Sequence, residues 1–165
     1  MDPLHQAYFS SPIGTIIISA TAAALISVLF TEEAPQVNSP DLPVCLQDGL
    51  QQLTEYFSGN RKTFDLPLHS GGTAFQETVW QQLSHIPFGQ TLSYYSLSSQ
   101  LGNVAAIRAV GSANGKNQLL LIRPCHRVIG SNGQLVGYAG SLWRKKWLLE
   151  HERKVMGTHQ LNLFG

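Results

Sequence analysis

The chain has 165 residues and a formal net charge of +1, enough length to bury a core as one domain or as two small ones. Its aliphatic-rich composition excludes a disordered chain. Its two distant cysteines, Cys45 and Cys125, exclude a disulfide-stapled secreted scaffold and point to a reducing, cytoplasmic setting. No ligand spacing for zinc is present, so neither metal nor cofactor is expected.

Residues 3–31 carry no formal charge, and residues 13–30 have the length of a membrane span. Pro12 and Gly14 open that run, Ser19, Thr21 and Ser27 interrupt it, and no Lys or Arg precedes it. A buried pair of strands, residues 15–18 and 25–30, is expected around the alanine-rich connection, with no membrane association. Leu46, Leu50, Leu53 and Phe57 then recur at helical spacing, with Asp41 as a possible N-cap and Gly59 as the stop. Residues 61–68 suggest a last strand before a Ser70-Gly71-Gly72 hinge.

The charge changes sign at that hinge. Residues 1–70 hold seven acids against Arg61 and Lys62, a net of −5, and residues 71–165 hold three acids against nine bases, a net of +6. A domain boundary is therefore expected near residue 71, and the basic half has the electrostatics of a phosphate-binding surface. Solvated lysines account equally well for Arg144-Lys145-Lys146, but less well for arginines inside apolar or glycine-rich segments.

Thr73-Ala74-Phe75-Gln76 has the form of a capping box, and the helix behind it should bury Phe75, Val79, Leu83 and Ile86. A short helix over residues 93–101 stops at Gly102-Asn103, and a third follows over 104–114, giving a helix-turn-helix. The third helix is nearly bare: Ala105, Ala106, Ala109, Gly111, Ser112 and Ala113 surround one charge, Arg108. Such a helix suits either a close helix–helix contact or a nucleic-acid groove into which Arg108 reaches. An apolar strand over 119–122 leads to Cys125, then a hairpin of 128–129 with 134–136 around Asn132-Gly133, and a last helix over 142–153. That outline is a winged helix-turn-helix.

Cys125 follows a proline and precedes His126 and Arg127. A thiol near cationic or proton-accepting groups can populate its nucleophilic thiolate. Sequence neighbours in extended chain point to opposite sides, however, so a turn at Pro124 or a bridging water is needed for His126 to act.

Pro124-Cys125-His126-Arg127-Val128 resembles the active-site motif of the O6-alkylguanine-DNA alkyltransferases, or methylated-DNA–protein-cysteine methyltransferases. The resemblance spans roughly residues 73–155. It includes Phe88-Gly89-Gln90 before Ser93-Tyr94, Arg108-Ala109-Val110-Gly111, the Asn114 and Asn117 region, Gly137-Tyr138-Ala139-Gly140 and Trp147-Leu148-Leu149-Glu150-His151-Glu152. Residues 1–70 match more loosely, in Ser11-Pro12-Ile13-Gly14 and Tyr56-Phe57-Ser58-Gly59.

The resemblance implies an α+β protein: an amino-terminal sheet-plus-helix domain, ribonuclease H-like, over residues 1–70, and a winged-helix alkyl-transfer domain over 71–165. It implies direct repair by irreversible transfer of an alkyl group from O6-alkylguanine, and from O4-alkylthymine, in double-stranded DNA to Cys125. His126 would activate the cysteine through a water, Glu152 would orient His126, Asn117 would brace the turn, and Tyr94 would assist departure of the base. Arg108 would fill the gap left by the flipped nucleotide while Ala105, Ala106 and Ala109 enter the minor groove and Ser93, Lys116 and Arg127 contact DNA. Val128, Tyr138, Ala139 and Gly140 would line the alkyl and base pocket. A monomer is expected.

Three positions depart from the pattern: Arg123 replaces an aliphatic residue, Gln118 a common proline and Ser141 a usual glycine. For Arg123, alternation from Leu119 leaves three roles open: a phosphate contact, electrostatic activation of the thiol, or solvation at a strand end. Two rival functions also remain. A lesion-sensing winged-helix binder needs no cysteine nucleophile, and a cysteine hydrolase leaves the charge split unexplained.

Overall fold

Seven-residue stretches rich in β-branched and aromatic side chains build the first three strands: β1 (His5–Ser11), β2 (Gly14–Ala20) and β3 (Leu25–Thr31). They form an antiparallel sheet in the order β1-β2-β3, with Ile17 opposite both Tyr8 and Leu29. A computed structural model of the chain describes residues 2–69 and 71–164, with side chains up to residue 157. The uncharged run is thus a hairpin, as expected, and among the described residues no helix is long and apolar enough to cross a membrane. The chain divides into two units, Met1–Gly71 with Gln118–Ile122, and Gly72–Asn117 with Arg123–Gly165.

In the first unit, α1 (Val44–Phe57) lays Leu46, Leu53 and Tyr56 on the sheet beside Ile16 and Ile18, all fully buried. Its N-cap is Pro43 rather than Asp41, and no side chain caps it; the Pro43 carbonyl accepts from Leu46 and Gln47 instead. Gly59 does stop the helix region, at φ 84°. Residues 61–68 are not a strand. Gln52 bonds both the N–H and the C=O of Asp65 at 2.9 Å, which takes those groups out of any ladder, and only Leu68 bridges to Leu25.

Residues 119–122 are not a strand either, because Leu121 sits at φ 72° and breaks the alternation. Leu119, Leu120 and Leu121 are all buried, and Val28 of β3 bonds the backbone of Gln118 and Leu120. This segment therefore belongs to the first unit.

The second unit opens with α2 (Ala74–Leu83), whose capping box is formed in both directions between Thr73 and Gln76. It buries Val79 and Leu83 but leaves Phe75 exposed, contrary to expectation. The dipeptide β4 (Leu92–Ser93) precedes α3 (Tyr94–Gln100), which Ser93 caps through Ser96 N–H at 3.0 Å. Gly102, at φ 83°, turns the chain into a short 3-10 segment, Val104–Ala106, and α4 (Ile107–Gly115). These elements make the expected helix-turn-helix.

The expected wing is reduced to a turn. Gly130 N–H bonds the Gln134 carbonyl at 2.8 Å, but β5 (Val128–Ile129) pairs parallel with β4, not antiparallel with residues 134–136. The last helix, α5 (Leu142–Phe164), continues past residue 153, where no proline stops it.

Candidate active site

Cys125 opens a 3-10 turn, Cys125–Arg127, directly after Pro124. Pro124 has φ −78° and ψ 61°, and Cys125 N–H bonds the Arg123 carbonyl at 2.7 Å. That is an inverse γ-turn, which proline's fixed φ favours. Asn117 donates from Nδ2 to the Arg123 carbonyl at 3.0 Å and to Cys125 Sγ at 3.2 Å. Two hydrogen bonds thus converge on the Arg123 carbonyl, and Asn117 is buried beside the sulfur.

The turn solves the problem of direction: Cys125 lines a cavity, while His126 turns inward and is fully buried. Its Nε2 lies 2.6 Å from Glu152 Oε2. Glu152 also receives Arg127 Nε at 2.8 Å, Arg127 Nη2 at 3.1 Å and Gly89 N–H at 3.2 Å. Gly89 sits at φ 81°, and a Cβ there would lie 2.5 Å from the Met156 side chain, so a larger residue would be strained and would have to displace that side chain.

Burial works against a charge on Glu152, but His126 and the two-pronged Arg127 contact outweigh it and hold the carboxyl well below the usual carboxylate range. Burial lowers the His126 pKa against the pull of Glu152, which favours neutral imidazole. A neutral ring that donates from Nε2 to a carboxylate leaves its lone pair on Nδ1, and buried Nδ1 has no hydrogen-bond partner among the described residues. His126 is therefore poised as a proton acceptor.

The Cys125 thiol is pushed up to about 11 by burial, with the Asn117 hydrogen bond and the Lys145 charge opposing. At neutral pH it is a thiol, so ionisation must accompany reaction. Lys145 neither faces a phosphate nor is solvated, the two readings its basic run allows: it is fully buried, bonds the carbonyls of Val136 at 2.9 Å and Gly137 at 3.2 Å, and is drawn down to about 8 by burial against the effect of Cys125. Arg144 is also buried, on the Trp143 ring and the Gly140 carbonyl. Of the three, Lys146 alone is exposed. The spacing of Lys145, Leu148, Leu149 and Glu152 on one helical face was the missed signal.

The cavity measures about 690 Å³, and Tyr94, Arg108, Asn117, Tyr138 and Ala139 help to line it with Cys125. The Tyr94 hydroxyl accepts from Asn114 Nδ2 at 3.3 Å, and burial raises its pKa, so it stays protonated. Tyr138 stands edge-on to His126 at 6.5 Å, its hydroxyl buried with no partner among the described residues. Ala105, Arg108, Ala109 and Lys116 are exposed and Ala106 half-exposed, whereas Val110, Ala113 and Asn114 point inward. The bare face of α4 is thus open, not a helix–helix contact.

Four expected site residues take other places. Arg127 is buried, with Nη1 on the Ile86 carbonyl at 2.8 Å and its other nitrogens on Glu152, because a buried carboxylate needs a buried cation. Val128 is fully buried in β5 and Gly140 is buried, and neither is among the residues that line the cavity. Ser93 serves as a helix cap.

The family model "6-O-methylguanine DNA methyltransferase, ribonuclease-like domain" matches residues 4–70, and "6-O-methylguanine DNA methyltransferase, DNA binding domain" matches residues 74–154. The chain is 41% identical over 153 residues to a methylated-DNA–protein-cysteine methyltransferase of Methanosarcina acetivorans, covering 90% of this chain and 98% of that one. It is 40% identical over 165 residues to the protein of the same name from Mycobacterium tuberculosis, covering 98% and 99%. The crystal structure of Mycobacterium tuberculosis OGT in complex with DNA superposes with a TM-score of 0.82 at 39% identity, over 92% of this chain and 94% of that one. Matched in both halves and related along almost its whole length, the chain belongs to the methylated-DNA–protein-cysteine methyltransferase family.

Proposed function

We propose that the protein repairs alkylated DNA by moving an alkyl group from O6 of guanine, or O4 of thymine, onto Cys125 once and irreversibly. The observation that carries this reading is a buried histidine–carboxylate pair next to a thiol that opens into a cavity beside an exposed, small-residue helix. A lesion inside a duplex is unreachable, so the nucleotide must be extruded, at a cost of a few kcal/mol. Arg108, exposed on α4 at the cavity, would occupy the gap, and Ala105, Ala106 and Ala109 would let α4 approach the floor of the minor groove. Lys116 follows at the end of that helix and would meet a phosphate.

The chemistry balances without a co-reactant. The Cys125 proton passes through water to His126 Nδ1, the sulfur attacks the alkyl carbon in line, and the C–O bond breaks as the C–S bond forms. Tyr94 donates a hydrogen bond to the departing base, and the released proton ends on guanine. The resulting thioether is not reducible by thiols, so each molecule acts once.

The family models that match residues 4–70 and 74–154 support a boundary near residue 71, with a ribonuclease H-like amino-terminal domain. Dependence on a free thiol suits a reducing cytoplasm, and action as a monomer is the simplest arrangement for one site per chain.

Intact mass after mixing with O6-methylguanine duplex tests the reading. One added methylene equivalent, mapped to the Cys125 peptide and absent in Cys125→Ser but not in Cys45→Ser, is expected. Binding with no adduct would select a lesion sensor, and sustained ester turnover a hydrolase.

A further inference from the structure

Arg123 fits none of the three roles that sequence left open. It is not solvated: 8% of the residue is exposed. Its guanidinium carbon lies 4.4 Å over the Trp80 ring centroid, and Nη2 is 3.8 Å from Glu77 Oε2. Nor is its charge among the causes that set the Cys125 thiol, where Lys145 is the cation that acts.

The stack on Trp80 is itself firmly built. The indole Nε1 donates to the Ala113 carbonyl at 2.8 Å, in the last turn of α4. Gly72 presses on the ring edge so closely that a Cβ would lie 2.3 Å from it, and Gly72 N–H bonds the other oxygen of Glu77 at 3.1 Å. The ring therefore has little freedom to tilt or slide. At the other end of the same residue, the Arg123 carbonyl receives both Cys125 N–H and Asn117 Nδ2. Whatever holds Arg123 holds the acceptor on which the nucleophile's turn and its hydrogen-bond donor are both registered.

We infer that Arg123 is a positioning residue: its side chain, stacked on Trp80 and flanked by Glu77, fixes the carbonyl that sets Cys125 and Asn117 relative to each other. The clamp acts by ring contact rather than by charge, so an aliphatic side chain that packs on the same ring face can replace it. This explains how an arginine stands where the family resemblance has an aliphatic residue without loss of the turn. The inference presumes that Cys125 is the nucleophile of the proposed reaction, and the test below reads the thiol without calling on any alkylated base.

The rate of Cys125 alkylation by iodoacetamide is measured against pH, by mass of the Cys125 peptide, in wild type, Arg123→Ala and Arg123→Ile. Arg123→Ala should react about tenfold more slowly at neutral pH and its profile should move to higher pH, because the thiolate is the nucleophile and less of it forms as the Asn117 contact loosens. Arg123→Ile should stay within about twofold of wild type, as a branched apolar side chain that packs on the same face of the Trp80 ring. The slope of log DNA affinity against log salt should not change in either variant.

Wild-type behaviour for Arg123→Ala would overturn the inference. So would an Arg123→Ile variant as slow as Arg123→Ala, which would make the charge the active element. A salt slope shallower by about 0.9 would also overturn it, by making Arg123 a phosphate contact. If Arg123→Ala does not fold, nitrogen relaxation of the wild-type Arg123 Nε–H still decides. An order parameter near the rigid-backbone value of about 0.85 is expected, and one below about 0.6 refutes the clamp. Failure of the repair reading would show separately, as a wild-type Cys125 that iodoacetamide labels but O6-methylguanine duplex does not.

Discussion

His126 and Glu152 lie 26 residues apart in the chain and 2.6 Å apart in the fold, Nε2 to Oε2, both completely buried. The carboxylate is saturated by Arg127 and by Gly89 N–H, so its charge is held in place and the imidazole can take only one tautomer. The reactive nitrogen is thereby chosen by a group that never touches substrate.

Glu152→Gln should slow alkyl transfer about a hundredfold, the size of a general-base contribution, on duplex and on free O6-benzylguanine alike. It should also destabilise the fold by about 3 kcal/mol, since Arg127 is left buried without its anion. The carboxyl pKa is depressed in the folded state. Its stabilisation is therefore complete above the unfolded value of about 4.3 and lost as pH falls further. Urea unfolding from pH 7 downward should show that acid loss in wild type and not in the variant; parallel curves would refute the ion pair's role.

Arg108→Ala should slow repair in duplex DNA by about ten- to a hundredfold while leaving reaction with free O6-benzylguanine nearly unchanged. The free base needs no extrusion, so a side chain that only stabilises the flipped state cannot help it. Single-turnover rates on both substrates measure this, and equal losses would make Arg108 a structural residue.

Lys145→Met should make the Cys125 thiol harder to ionise and slow its alkylation near pH 7, an effect that fades as pH rises past about 8 and wild-type Lys145 loses its charge. Folding draws the Lys145 ammonium down to about 8, burial being the cause and Cys125 opposing it, against about 10.4 unfolded. From pH 8 to 10 the unfolded chain thus binds more protons at this site, and the site's contribution to stability rises with pH. Any stability advantage of Lys145→Met over wild type should accordingly shrink across that window in denaturant titrations. A difference independent of pH would mean that Lys145 titrates as an ordinary surface lysine.

Ser141→Gly should stabilise the protein by about 1 kcal/mol. Ser141 sits at φ 80°, where an L side chain is strained, and its hydroxyl is buried without a partner among the described residues. Glycine relieves both, against some added entropy of the unfolded chain. A lower thermal midpoint in the variant would show that the hydroxyl contributes a contact.

By itself the sequence determined the local devices and the reaction class. The isoleucine-rich hairpin, the Thr73–Gln76 capping box, the glycine turn between α3 and α4, and the proline ahead of Cys125 each depend on a few adjacent residues, and each formed. Charge segregation pointed to DNA because net charge needs only composition, summed over each half of the chain, and the Pro124–Val128 motif pointed to a cysteine acceptor because its resemblance is carried by adjacent residues. Tertiary structure alone decided which cations face water. Lys145 and Arg127 look like surface charge in sequence, yet one lies behind the thiol and the other pairs with Glu152. Arg123 looked like a strand residue, but a left-handed Leu121 removed the strand and Trp80 supplied a ring to lie on. Periodicity tells which face of an element leaves water; it carries no record of the partner that waits there, and a buried charge is stable only through that partner.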